Sequence, residues 1–295
     1  MPDFKNPALR GHLAMLLFSA LVAGSFALGA RVANLIEPAA LNALRFLLAA
    51  VIIGTFVALG PGVKRRDLCA PWRYLLLGGL FAIYFVLMFE GLKTAAPVSA
   101  SAVFTLAPVM AAVFGWLVLR QVTTRRMALA LALAAGGAIW VIFRGDIGAI
   151  LAFEIGRGEV IFFFGVAAHA LYTPMIRKLN RGEPPLVFTL GMLIAGFLVL
   201  SVFGAGSIAA TDFASLPPLV WLTIAYLTIF ASATTFFLLQ YAALHLKSAK
   251  VMAYTYLVPA WVILWEVALG GAMVPLTVLI GVAAVVVALV MLLEE

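Results

Sequence analysis

What this chain has least of is charge. Only 11% of its 295 residues are Asp, Glu, Lys or Arg, while 65% are apolar. A water-soluble domain of this length needs charged cover over a large surface, and that cover is missing. Cysteine is almost absent: the single Cys69 permits neither an intramolecular disulfide nor a thiolate metal site. Three histidines, with no metal-ligand cluster and no nucleophile–base motif, offer little to an enzyme. No glycine run forms a phosphate-cradling loop, so neither an ATP site, a metal nor another cofactor is expected. Residues 127–143 and 276–293 are apolar without the strict alternation of barrel strands, which excludes a membrane β-barrel.

What is present is a series of apolar runs of about 20 residues, the length that crosses a bilayer as a helix. Ten spans fit, near 11–30, 38–59, 72–92, 96–119, 126–143, 159–177, 185–205, 217–239, 249–269 and 273–292. The first reads as a transmembrane helix and not as a cleaved signal. Lys5 and Arg10 precede it and Ser25-Phe26-Ala27 resembles a cleavage site, but another apolar span follows directly. With the N-terminus inside, the inner segments hold Lys5, Arg10, Lys64, Arg65, Arg66, Arg73, Arg120, Arg125, Arg126, Arg177, Lys178, Arg181, Lys247 and Lys250. The outer segments hold only Arg31, Lys93, Arg144 and Arg157, and Arg45 falls within a span. This bias places both termini in the cytoplasm of a cell with an inner membrane. The net charge of +7 then reflects topology and contact with anionic membrane lipids; no basic stripe interleaved with aromatics points to nucleic acid.

The chain also repeats itself. Glu37-Pro38 after span one is matched by Glu183-Pro184 after span six, and Arg31 and Arg177 precede these pairs at equal distance. Ala107-Pro108 in span four is matched by Val258-Pro259 in span nine. Near-constant offsets along the chain indicate an internal duplication, residues 1–148 against 156–295. A unit of five spans begins on one side and ends on the other, so its duplicate inserts upside down. The expected fold is therefore an all-α polytopic membrane protein with ten transmembrane helices in two inverted five-helix repeats. That architecture recurs in alternating-access carriers, with the substrate site near the midplane.

The pieces that carry a family resemblance are Gly24-Ser25-Phe26, Pro38 with Arg45-Phe46-Leu47-Leu48-Ala49-Ala50, Phe89 through Lys93, Thr105-Leu106-Ala107-Pro108, Glu159 through Leu179, and Tyr256-Leu257-Val258-Pro259. In this order and spacing the chain resembles the drug/metabolite transporter superfamily, specifically its EamA-type ten-helix carriers. Two positions depart from that pattern: Ala23 stands where the family often has tryptophan, and Arg120-Gln121 where span four often ends in Gly-Glu. The resemblance implies a secondary transporter that exports amino acids or related small metabolites. Importers and exchangers are the alternative within the class. It also implies that spans five and ten are peripheral, and their alanine and valine content suits a scaffold or a contact between subunits, in a monomer or homodimer. A membrane-embedded enzyme is the rival of another class.

Within the spans a few residues carry chemistry. Arg45, about a third of the way into span two, has the fork of donors that suits an anionic substrate group or a gate anchor, and equally suits backbone carbonyls. His169 near the middle of span six can contact substrate or protons, or make an interhelical hydrogen bond. Glu266 in span nine is a carboxylate in low dielectric, placed for proton coupling, for an ammonium group or for pairing with Arg45; reach to the nearby membrane edge explains it as well. Tyr254, Tyr256 and Trp261 surround Pro259, and Trp265 lies one turn beyond Trp261, making an aromatic wall. Pro108 and Pro259 are expected to kink their helices beside a cavity. Glu90 and Lys93, three apart, form a helix-face pair or an outer gate. Among the glycine pairs, Gly78-Gly79 and Gly136-Gly137 permit close approach of helices.

Overall fold

The computed structural model describes residues 6–152 and 154–293. Lys5, counted above among the inner basic residues, lies outside them. The ten long segments are α1 (Pro7–Val32), α2 (Pro38–Leu59), α3 (Trp72–Leu92), α4 (Pro97–Leu119), α5 (Arg125–Ile142), α6 (Arg157–Leu179), α7 (Pro185–Phe203), α8 (Pro218–His245), α9 (Ser248–Ala268) and α10 (Leu276–Leu293). The first nine are long and apolar enough to cross a membrane, and α10 is a shorter apolar helix. Twenty-two residues of α2 extend about 33 Å, close to the thickness of a hydrocarbon core.

Proline sets many of the starts. Pro7, Pro38, Pro97, Pro185 and Pro218 each sit in a first helical turn, where the missing N–H would have no intrahelical partner anyway. The same logic applies inside two spans. In α4 the helix stops at Phe104 and restarts at Ala107, with Pro108 in the new first turn. In α9 a tighter 3₁₀ turn, Tyr254–Leu257, precedes Val258, and Pro259 opens the second piece.

One boundary differs clearly from the sequence expectation. Span eight was expected to end near 239. The helix instead continues to His245, since the Gln240 amide donates to the Tyr172 hydroxyl inside the bundle (2.8 Å). Midway along α8, Ile229–Thr234 widens into a π-helical stretch.

The packing of helices is unchanged when the two groups of five are exchanged. Helix α1 packs on α8 and α9, and its counterpart α6 packs on α3 and α4. Helix α3 packs on α7, and α8 on α2; the pairs α2–α7, α4–α9 and α5–α10 map onto themselves. Large apolar side chains such as Val51, Phe56, Leu129, Phe164 and Val287 point outward. The polar side chains Arg45, Arg73, His169, Thr189, Gln240 and Thr255 are buried, the inverse of a soluble bundle.

Glycine decides where helices touch most closely. A Cβ on Gly78 of α3 would lie 2.5 Å from the Gly196 amide nitrogen and 2.8 Å from the Met192 carbonyl oxygen of α7. Gly137 and Gly281 bring α5 and α10 together in the same way, each facing the other's carbonyl oxygen. Gly79 and Gly136, the second members of the sequence pairs, meet nothing within 4 Å.

Candidate functional site

The middle third of the bundle holds an arginine that no acid neutralises. Arg45 is fully buried on α2. Its Nε donates to the Ser232 hydroxyl (2.9 Å), one Nη to the Ala231 carbonyl (2.8 Å), and the other to the Asn42 side-chain oxygen (3.2 Å). Ala231 and Ser232 belong to the π-helical stretch of α8. A π turn displaces backbone carbonyls from their usual acceptor role, and here one of them turns to the guanidinium. The guanidinium carbon also lies 3.9 Å from the centre of the Phe85 ring. Three of its five N–H groups are thereby used. Among the described residues no carboxylate pairs with it.

From Phe85 a strip of rings leads across α3 to α6. Phe85 lies 4.5 Å from Tyr84, and Tyr84 stacks on His169 at 4.4 Å. Phe81 stacks on Tyr172 at 4.2 Å and meets Phe236 of α8 edge-on at 4.4 Å; Phe104 of α4 closes the far side of His169 at 5.3 Å. Within this strip several polar atoms are buried without a hydrogen-bond partner: both ring nitrogens of His169, the Tyr84 hydroxyl and the Gln240 carbonyl oxygen. Each unpartnered buried polar atom costs about 1–3 kcal/mol, which makes this strip the costliest polar stretch of the buried core to leave unsatisfied.

The two ends of the bundle are held differently. At the end carrying Lys64–Arg66, Arg73 and Glu183 form a buried ion pair at 2.6 Å, with side chains 1% and 3% exposed. Arg73 also donates to the carbonyls of Leu179 (2.5 Å) and Cys69 (2.9 Å), tying the start of α3 to the α6–α7 connection. Burial alone would raise the Glu183 carboxyl, but hydrogen bonds from Arg73 and the Arg181 amide overcome it and hold the group below its ordinary range. At the opposite end Lys93 bridges Glu90 (2.9 Å) and Glu37 (3.6 Å), and Glu37 is 56% exposed. Burial pulls Lys93 down, yet the two acids outweigh it and raise its pKa above the ordinary lysine value. A cavity of about 370 Å³ opens beside Glu37, Lys93 and Asp212. Nearby, Arg31 grips Glu266 through both oxygens at 2.7 and 3.3 Å, joining α1 to α9.

The profile of the EamA-like transporter family matches residues 9–143 and again 156–294. The chain belongs to the EamA-like transporter family. With it comes membership of the drug/metabolite transporter superfamily. The transporter is 26% identical over 262 residues to the uncharacterized transporter YyaM of Bacillus subtilis (strain 168), covering 88% of this chain and 86% of that one. A solved crystal structure, 21% identical, superposes with a TM-score of 0.71 over 98% of this chain and 96% of the other, a likeness of fold.

The structure sorts the residues singled out from sequence. Arg45 and His169 come together through the ring strip. Glu266 does not reach them: its partner is Arg31, which the sequence offered as an outer charge and a repeat signpost and not as a partner for Glu266. Trp261 donates to the Ser19 hydroxyl (3.2 Å) and Trp265 meets Tyr226 edge-on, so both line the α1–α8 side. Tyr254 meets His12 at 3.1 Å, toward the basic end. Tyr256 packs against α5 and α10, away from Arg45. Pro108 and Pro259 mark the restarts of α4 and α9, and Glu90 with Lys93 stands at the charged rim. Tyr84 and Tyr172 stood among many aromatics in the sequence, whereas Ser232, Gln240 and the Arg73–Glu183 pair carried no signal there. Arg45 and His169, polar residues within spans, were the signals that pointed toward this centre. Because the Arg31–Glu266 pair is bidentate and its side chains are mostly buried, Glu266→Gln is expected to lower the thermal unfolding midpoint of the detergent-solubilised protein.

Proposed function

We propose that this transporter is a secondary carrier of the inner membrane that exports amino acids or related small metabolites by alternating access between two inverted halves. The observation that carries the reading is the packing pattern, unchanged on exchange of halves, with a polar cluster buried at their junction. A molecule held there is reached from one side or the other as the halves rock. By the distribution of basic residues the Lys64–Arg66 end faces the cytoplasm, together with both termini. The buried Arg73–Glu183 pair then makes that side the more firmly closed one in this conformation, while the outer rim rests on partly exposed pairs. Energy comes from exchange, downhill flow or a proton gradient, with Glu266 as the carboxylate assigned to coupling. On that assignment Glu266→Gln abolishes gradient-driven flux while leaving folded protein in the membrane. Unchanged flux at several pH values removes Glu266 from coupling.

The test compares metabolites inside and outside cells producing the native chain or equally abundant Arg45→Ala protein. Compounds enriched outside only with the native chain support export. Depletion of the medium instead means import, and identical profiles in both cultures mean that Arg45 is not needed to transport the compounds measured.

A further inference from the structure

We infer that the recess between the start of α1, the α4–α5 connection and the α8–α9 connection is a binding site for a phosphate group, carried by an anionic lipid or free in solution. The inference stands apart from the carrier reading and from the centre around Arg45.

The recess has a volume of about 550 Å³ and opens at the end carrying Lys64–Arg66. His12 of α1, Thr124 before α5, and His245, Lys247 and Lys250 around the α8–α9 connection line it. Among the described residues that line it there is no carboxylate. Two ammonium groups sharing one recess repel each other, and an anion between them relieves that repulsion. Both imidazoles are already fixed through Nδ1: that of His245 lies 2.7 Å from the Tyr241 carbonyl oxygen, and that of His12 lies 3.1 Å from the Tyr254 hydroxyl. In each ring Nε2 remains as the nitrogen that can meet a ligand. Helix α5 begins directly after Thr124, whose hydroxyl caps it by accepting from the Met127 amide (3.2 Å). The positive end of an 18-residue helix therefore adds to the lysines.

The donor set separates phosphate from carboxylate. A planar carboxylate is best met by a guanidinium fork, and no arginine is among the residues that line this recess. Lysines, imidazoles and a helix terminus approach from separate elements, which suits the tetrahedral oxygens of a phosphate. The recess also lies at the ends of membrane-spanning helices, the depth at which lipid phosphates sit.

Exchange of the two halves shows that the fold alone does not make such a recess basic. The start of α6 and the α3–α4 connection line a recess of about 370 Å³ at the opposite end, and its charged residues are Arg144, Asp146, Glu154 and Glu159. The cationic lining is therefore particular to the sequence at one end. A phosphate held there meets α1 and the α4–α5 connection of one half and the α8–α9 connection of the other. It ties the two halves together at that end.

The experiment uses the full-length protein in micelles of an uncharged maltoside detergent, at neutral pH and constant ionic strength. Thermal unfolding is followed during separate titrations with inorganic phosphate, acetate, dioctanoyl phosphatidylglycerol and dioctanoyl phosphatidylcholine. A ligand of the folded state raises the midpoint with its concentration, which gives the affinity. The expected result is a rise with phosphatidylglycerol and none with acetate or phosphatidylcholine. A rise with inorganic phosphate as well assigns the site to phosphate from either source; a rise with phosphatidylglycerol alone assigns it to the lipid. Lys247→Gln/Lys250→Gln weakens binding about 10-fold or more, as loss of charge-assisted bonds predicts. Lys247→Arg/Lys250→Arg keeps the charge, retains binding and separates charge loss from a folding defect. Arg177→Gln/Lys178→Gln removes two exposed charges at the same end outside the recess and changes the affinity by less than about 2-fold. No rise with either phosphate or phosphatidylglycerol, or an equal rise with acetate, overturns the inference. Equal losses in the two glutamine variants also overturn it, because the binding then belongs to charge spread over the whole end.

Discussion

Replacing Glu183 by glutamine is expected to destabilise the protein by about 3–5 kcal/mol, the cost of leaving a buried charge without its partner. Arg73 is 1% exposed, so its guanidinium has no route to water once the carboxylate is gone. The carbonyls of Leu179, Cys69 and Ala70 satisfy its donors but not its charge. The sign of the pH dependence follows from the depressed Glu183 value. The pair's contribution is fully present above the ordinary carboxylate range near 4.3 and is lost as pH falls through the lower folded-state value. Thermal unfolding in detergent at several pH values measures both effects: a large drop in midpoint at neutral pH for Glu183→Gln, and an acid-side slope that the variant lacks. A variant as stable as the native protein at neutral pH would falsify the assignment of Arg73–Glu183 as the main tie at this end.

An equally large effect is expected from Gly78→Val, and almost none from Gly79→Val. At position 78 the new carbon meets backbone atoms of α7 at 2.5 and 2.8 Å, and backbone cannot swing aside as a side chain does. Helices α3 and α7 must separate, which places the cost at about 3 kcal/mol or more, the upper range of overpacking. At position 79 nothing lies within 4 Å, and valine is a somewhat better helix residue than glycine, so stability holds or rises by a few tenths of a kcal/mol. Melting temperatures of the two single variants, prepared side by side, test this. Similar losses in both would mean that backbone flexibility and not contact decides the outcome.

The contrast between these neighbours shows what a sequence cannot carry. Gly78-Gly79 and Gly136-Gly137 read identically as small pairs, and which member touches another helix depends on how each helix is rotated about its axis. Rotation comes from packing against helices distant in the chain. The same reason hid the partner of Glu266. It stands near the edge of α9, and only the α1–α9 contact brings Arg31 to it across 235 residues. Helix α8 runs on to His245, and Gln240, polar by type, is buried there because its partner Tyr172 stands on α6.

Much of the architecture was nevertheless legible. The scarcity of charge and the length of the apolar runs leave helices in a bilayer as the only way to satisfy the backbone, so the class follows from composition, and the ten runs correspond to nine helices long enough to cross and one shorter apolar helix. Prolines marked many starts and two breaks, since a missing N–H has no intrahelical partner to lose in a first turn, although Pro174 lies inside α6 without ending it. The duplicated Glu-Pro and X-Pro signposts and the family motifs were linear patterns, and they led to the right family. The sequence by itself determined a membrane-spanning bundle with one arginine where lipid does not tolerate one. Only the tertiary structure decided what that arginine faces, because its partners on α3, α6 and α8 are set by helix rotation and by a π turn, neither of which is written in local order.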